Sequence, residues 1–588
     1  MYYTMASGIK DVSLSTLRLS LNNLIYLAAA VSLLLLIYWW ALPKPIPGIP
    51  YDESATRTLL GSLPEINAHI KKTGRLRPWL YAHNQRHNSA ITQIWTSPLS
   101  KPSVLLADFQ ETQDVLLRRT KEFDREHTGL DVWRNHIKEH HIAMTTTDPR
   151  FKGNKELVKD LMTPTFLHEV SVPQIYAKTM TLIELWVSRT KAADGRPFSA
   201  TDDIYDAAVD IINAVAFGLD DSMSILKAQL DNLTTLSNTE FPVNANGSVE
   251  FPRVPYKSEI EAVRIVTEHV GEQFKTFFPV FNHYYDLLTH PTLSKSIVQK
   301  NKLIHDEIEK SLVRLRNGED ETRSAMDHIL QREMRAATKD GRKPEFHSMK
   351  IYDELFGYVL GGHETTYSAL CWLIKNIADY PAVQEKLRSA LQSAFAMAYD
   401  EDRQPSAVEI CKSTIPYLDA VIEENLRLDT PAPVIAKEAT VDTILLGKKI
   451  PKGTVVFMIS GGPDFRSPPL PVPDEVRSET SRLKNLHARW DPNDIHMFKP
   501  ERWLKVDDDG REVYEATAGP FLSFSGGPRG CFGKRLAYLE MRIVTVLLLW
   551  NFKFHKLSDE LSSHDVVDKL TPIPTSCYVA LSKADSRL

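Results

Sequence analysis

The longest interruption of polar positions in this chain lies near its start. Residues 24–42, LIYLAAAVSLLLLIYWWAL, run for 19 positions without a charge. A helix of that length rises ~29 Å, enough to cross a hydrocarbon core of ~30 Å. Tyr38, Trp39 and Trp40 close the run, where amphipathic rings favour the headgroup level. A secretory signal would be shorter and end in small residues. The pattern therefore predicts an N-terminal tail (1–23), a single transmembrane anchor (24–42) and, from PKPIPGIP onward, a stiff proline-rich hinge (43–54) acting as a spacer. Lys10 and Arg18 before the run, and Lys44 and Arg57 after it, do not settle its orientation.

Beyond the hinge, residues 55–588 read as one body. ITQIWTS (91–97) and PSVLLADF (102–109) predict two short strands, and residues 440–460 predict more around two Gly-containing turns. Apolar positions recurring at three and four predict helices over 155–235, 257–315 and 348–399. The charged stretch 316–346 predicts an exposed connection with one short helix. The proline-rich stretch 461–485 predicts a surface insertion. The expected fold class is mainly α with small β-sheets.

Composition narrows the function. With 70 basic and 75 acidic residues the net charge is −5, which gives no basic footprint for nucleic acid. Four cysteines in 588 residues, none in a CxxC pair, form neither a disulfide framework nor a zinc ribbon. Cys531 differs from Cys371, Cys411 and Cys577 in its surroundings. It lies in FSGGPRGCFG (524–533), just before the helical pattern GKRLAYLEMRIVTVLLLW. A helix N-terminus and nearby arginines favour a thiolate, and glycines let backbone amides approach the sulfur. A glycine-rich turn that merely contains a cysteine is the plain alternative.

Three other stretches stand out. LFGYVLGGHETTYSALCWLIKNIA (355–378) reads as an apolar helix. It nevertheless carries Gly361 and Gly362, at about 1 kcal/mol each relative to Ala, then His363, Glu364, Thr365 and Thr366. In YLDAVIEENLRLDTPAP (417–433), Glu424 and Arg427 share a helix face at i, i+3. FKPERW follows, with Arg502. A surface-exposed helix and a surface ion pair are the bland readings of these.

The Cys531 stretch resembles the haem-binding loop of the cytochrome P450 family, through Phe524, Gly527, Arg529, Cys531 and Gly533. Gly361, Gly362, Glu364, Thr365 and Thr366 resemble that family's oxygen-activation helix, and Glu424, Arg427 and Arg502 its structural Glu-x-x-Arg network. All come in the family's order. The resemblance implies a P450 fold holding haem b (iron protoporphyrin IX). It makes Cys531 the axial thiolate ligand of the iron, which pushes electron density toward O–O cleavage. By the same match Arg529 pairs with a haem propionate, Phe524 packs near the sulfur and Gly533 ends the loop. The glycines leave room for O2, Thr365 donates a hydrogen bond to it and Glu364 helps relay protons. His363 is not a ligand. Lys437 stands where many members carry a propionate-binding Arg, and keeps the charge without the planar fork. Lys155 and Lys159 lie where a Trp-x-x-x-Arg helix is expected and match it poorly. His127, His136, His140 and His141 read as solvated or propionate-side groups rather than a metal site.

The expected activity is insertion of one atom of O2 into an apolar small molecule, as in fungal secondary metabolism. With no dinucleotide fingerprint in the chain, electrons are expected from a separate NADPH-P450 reductase. The expected setting is the endoplasmic-reticulum membrane, in contact with lipid, with the body cytosolic. Two rivals remain open: a P450-fold isomerase, dehydratase or peroxide-using enzyme, and a haem-binding membrane protein without turnover.

Overall fold

The computed structural model describes residues 8–584 apart from 237–238, 277, 319–321 and 485–486, with side chains described from residue 23 onward. The helices that build the site are, in chain order, α1 (Gly8–Ala41), α2 (Phe109–Leu117), α3 (His127–His136), α4 (Pro149–Val158), α5 (Thr201–Phe217), α6 (Ser258–Gln273), α7 (Pro279–Thr289), α8 (Ala325–Lys339), α9 (Met349–Asp379), α10 (Pro416–Leu428) and α11 (Lys534–Asn551). The fold is mainly α with small β-sheets, as expected.

α1 continues through the tail expected over 1–23, from Gly8 onward; residues 1–7 lie outside the described residues. Its segment Asn23–Ala41 has a mean hydropathy of 2.1 and is not buried against the body. At its end the Tyr38 hydroxyl donates to Arg57 O at 3.1 Å. The proline-rich hinge is not a free spacer. Ile46 and Ile49 are buried, and Gln93 fastens the stretch by accepting from the Ile46 N–H and donating to the Ile46 and Ile49 carbonyls. A buried amide needs such partners, and two isoleucines leave water, so the prolines dock instead of reaching out.

The five-stranded sheet runs β1 (Ile91–Ile94), β2 (Ser103–Leu106), β5 (Val455–Ile459), β4 (Val434–Ala439) and β3 (Phe123–Asp124). All pairs are antiparallel except β2–β5, which is parallel with Leu105 opposite Phe457. That parallel pair joins two stretches of chain separated by most of the helices. The sheet edge sets Arg125, next after β3, near Lys437 on β4.

Two expectations fail here. The stretch 316–346 is not an exposed connection: α8 buries Ala325, Met326, Ile329, Leu330, Glu333 and Ala337. Charges on the opposite face hide that stripe in the sequence. The insertion at 461–485 is not a surface appendage. Arg477 is buried and donates through both terminal nitrogens to Asp108 at 2.6 and 2.7 Å, Asp108 being the N-cap of α2. Phe465 is buried too, and its carbonyl accepts from Arg427.

Candidate active site

The Cys531 loop closes on itself and then starts a helix. Ser525 N–H bonds Leu522 O at 2.7 Å, Cys531 N–H bonds Phe524 O at 2.9 Å, and α11 follows from Lys534. Gly527 has a left-handed φ of +66°, and a Cβ there would collide with the Leu116 carbonyl oxygen. Only glycine therefore lets α2 approach at this point. Ser523 Oγ donates to Leu426 O at 2.7 Å and ties the loop to α10. The Cys531 side chain is exposed to a cavity of about 330 Å³ that it helps to line. Enclosure pushes its thiol up, while the Gly533 and Lys534 N–H groups and the Lys534 charge hold it down.

α9 forms another wall of the same cavity. Gly361, Gly362, Thr365, Thr366 and Ala369 face it. Thr365 Oγ1 donates to Gly361 O at 2.9 Å and Thr366 Oγ1 to Gly362 O at 3.0 Å. The two glycines do different work. A Cβ on Gly361 would meet nothing within 4 Å, so its absence leaves cavity space; a Cβ on Gly362 would collide with Ile212, so that glycine lets α9 pack against α5. Glu364 is not on the wall. It is buried, its carboxyl 3.9 Å from His363 Nε2. His363 Nδ1 bonds Val359 O at 2.7 Å, which makes it a helix-bound core histidine.

An acid that the sequence reading missed does line the cavity. Glu540, on α11, is buried beside the Thr366 hydroxyl, and burial pushes its carboxyl from 4.5 up to about 8. The folded chain thus keeps this proton where an unfolded chain releases it. The stability so gained is complete below pH 4.5 and is lost as pH rises through about 8. Glu540→Gln is expected to flatten the fall in melting temperature across that interval. An unchanged slope in thermal unfolding scans would mean that Glu540 ionises alike in both states.

A cationic group closes one end. Arg529 lines the cavity, stacks 4.3 Å over Phe151 and donates through Nη2 to the His141 and Ile142 carbonyls. Burial, then the charge of Arg125, lowers it to about 9. Arg125, also on the wall, is lowered to about 10 by burial. Lys437 is buried within reach of both and lowered to about 8, chiefly by burial, but does not itself line the cavity. Arg529 Nη1 and Arg125 Nε are buried without a hydrogen-bond partner among the described residues. Lys155 reaches the wall and donates to Pro528 O at 3.1 Å, whereas Lys159 pairs with Glu156 on the surface. Guanidinium groups that each keep a buried, unpartnered nitrogen share the cavity with a thiol and with an apolar wall that includes Val158, Leu426 and Ile435. That set fits a flat macrocycle bearing carboxylates. Arg125 could not be found from sequence, being a lone arginine after a two-residue strand. Phe524 lines the cavity and packs on Tyr538 at 5.0 Å; Gly533 faces it too.

Behind this wall Glu424, Arg427 and Arg502 come together. Glu424 accepts from Arg427 Nε and Nη2 at 2.8 Å each, Arg502 Nε at 2.8 Å, Trp503 Nε1 at 2.9 Å and the Lys499 N–H at 3.0 Å. The four histidines near α3 part company. His127 is exposed, 3.7 Å from Glu438; His140 and His141 line the cavity and lean on Glu354; His136 joins His269 and His283, and burial holds His136 and His283 neutral.

The family model described as Cytochrome P450 matches residues 60–462 and 490–574. The chain is similar to Cytochrome P450 monooxygenase TRI13 of Fusarium sporotrichioides, at 34% identity over 95% of this chain and 99% of that one. It is 35% identical to Cytochrome P450 monooxygenase xilC of Penicillium crustosum, over 90% and 91% of the two chains. It is 30% identical to Cytochrome P450 monooxygenase GME11363 of Pestalotiopsis microspora, over 94% and 97%.

Proposed function

Because the chain belongs to the cytochrome P450 family, we propose that it is a membrane-anchored haem-thiolate monooxygenase acting on an apolar small molecule in secondary metabolism. The observation that carries this reading is that Cys531 and the Gly361–Thr365 wall of α9 share one cavity. Haem b bound there supplies the iron at which O2 is reduced and split. Cys531 would hold its iron through the thiolate, and Arg529, Arg125 and Lys437 would neutralise its two propionates, Lys437 from behind the other two. Phe524 and Gly533 shape the thiolate loop, and Glu424, Arg427 and Arg502 hold that side of the core. Gly361 leaves room beside Thr365, whose hydroxyl holds the proton delivered at that point. Glu364, buried off the wall beside His363, is assigned the proton relay from that side; Glu540, beside Thr366, is an acid on the wall itself.

Residues 24–42 would span the endoplasmic-reticulum membrane once, with the body (55–588) in the cytosol beside an NADPH-P450 reductase. The apolar face of α7, with Phe281 at 69% and Leu288 at 84% exposure, favours the same lipid surface. Substrate, one NADPH, one proton and one O2 would yield hydroxylated product, water and NADP⁺.

The test is turnover under ¹⁸O2 in membranes carrying the chain and a reductase. One ¹⁸O atom per product, in step with NADPH, is expected. Label-free product, or turnover with peroxide alone, would replace this reading with one of its rivals. Thr365→Ala is expected to divert NADPH electrons to hydrogen peroxide and cut product per NADPH roughly 10²-fold, the low end for losing a positioned proton donor. Unchanged coupling would discharge Thr365 from that role.

A further inference from the structure

One helix early in the chain and two consecutive later ones bring three imidazoles to one point. His136 ends α3, His269 lies in α6 and His283 in α7, and their ligand-capable nitrogens all lie within 4.8 Å of one another. His136 Nε2 stands 3.2 Å from His269 Nδ1. His269 turns its other nitrogen to Asp286 Oδ2 at 3.1 Å, and Gln273 Nε2 donates to the same oxygen at 3.2 Å. Gln273 Nε2 also stands 3.2 Å from His269 Nε2, but the carboxylate can only accept, so it favours the proton on His269 Nε2 and a lone pair on Nδ1, facing the other rings. His283 is 5% exposed, and its Nδ1 is buried without a hydrogen-bond partner among the described residues.

We propose that His136, His269 and His283 form a binding site for a divalent transition metal, zinc first, with water as the fourth ligand and Asp286 orienting His269. Two nitrogens on a tetrahedral zinc at ~2.0–2.1 Å stand about 3.3 Å apart, close to the spacing of His136 and His269. A hydrogen bond between those two rings would account for their approach, but would leave His283 Nδ1 with nothing. The surrounding charges are few. Asp286 is the carboxylate, with His290 3.7 Å from it, and the buried Lys300 opposes from beside His136, its own charge offset by Asp353. The other two histidine groups are otherwise employed: His83 and His87 pair with Asp52, and His140 and His141 with Glu354 at the cavity.

Such an ion would staple α3 to α6 and α7. α7 carries the exposed Phe281 and Leu288, and His140 follows His136 by four residues onto the cavity wall. The clamp therefore joins the outer apolar helix to the pocket lining.

The test uses the full haem-loaded chain, free of any polyhistidine tag, dialysed against EDTA and titrated with zinc alone against a chromogenic chelator, with thermal unfolding in parallel. Wild type and His87→Gln are expected to hold one zinc per chain and to melt higher with it. His283→Gln should bind at least tenfold more weakly and lose the thermal gain, and Asp286→Asn should weaken binding roughly 10–100-fold. Equal zinc binding by wild type and His283→Gln, or none in wild type at micromolar zinc, overturns the proposal. His283→Gln decides even if a His136→Gln/His269→Gln double variant fails to fold, because His283 Nδ1 has no partner to lose among the described residues.

Discussion

Cys531→Ser is expected to erase the strongly red-shifted Soret band of the reduced, carbon-monoxide-bound protein, together with all NADPH-dependent turnover. Serine differs from cysteine by one atom, and the loop that holds it is built from backbone: the Phe524 carbonyl, the left-handed turn at Gly527 and the start of α11. The fold should therefore survive. The electronic character of the ligand would not. The Gly533 and Lys534 N–H groups can stabilise a thiolate at this point, but an alkoxide lies far beyond what two hydrogen bonds and a nearby lysine can hold near neutral pH. Haem retained without the red-shifted band is the expected state of the variant. A variant that kept the band would show that another residue supplies the axial ligand, and the proposed function would fall with Cys531.

Glu424→Gln is expected to lower the yield of folded protein more than any other single change outside the cavity. Five donors converge on one fully buried carboxylate. The amide offers one acceptor oxygen where five donors meet, and sets an N–H₂ against them. Arg427 would then remain buried as an uncompensated cation. Breaking a buried pair in this way costs about 3–5 kcal/mol, a large share of a total of about 5–15 kcal/mol. Most of the variant should aggregate, and the soluble remainder should melt well below wild type. A wild-type yield and melting temperature would mean the network is ornamental to stability.

How far the sequence could be read depended on whether chemistry sat in consecutive residues. The family and the mainly α fold were legible because long motifs with fixed spacing occur in order along the chain. Cys531, Arg529, Phe524, Gly533, Gly361 and Thr365 all lie within two contiguous stretches, so local spacing alone could nominate them. Arg125 and Glu540 could not be nominated. One is a single cation after a strand too short to show a period, the other a single acid in an apolar helix whose burial only packing reveals. Lys155 and Lys159 look alike in sequence, and a regular helix would put both on one face; α4 instead ends at Val158, and the tighter turn Lys159–Met162 leaves Lys159 paired with Glu156 at the surface. The burial of α8 was masked by its charged face. The meeting of His136, His269 and His283 brings α3 onto two consecutive helices more than a hundred residues further along the chain, and leaves no local trace.

The segment 463–489, which the family model leaves unmatched, has a consequence for anyone recombining this chain with a relative. Its Arg477 meets Asp108 at the head of α2, its Phe465 carbonyl meets Arg427, and α2 in turn bears on Gly527 of the cysteine loop. A chimera that trades this segment for a shorter connection strips Asp108 of its guanidinium partner and unsettles the helix against which the thiolate turn rests. Segment and helix are thus inherited as a pair: a viable graft has to carry residues 105–120 along with it, or neutralise Asp108 in the same step.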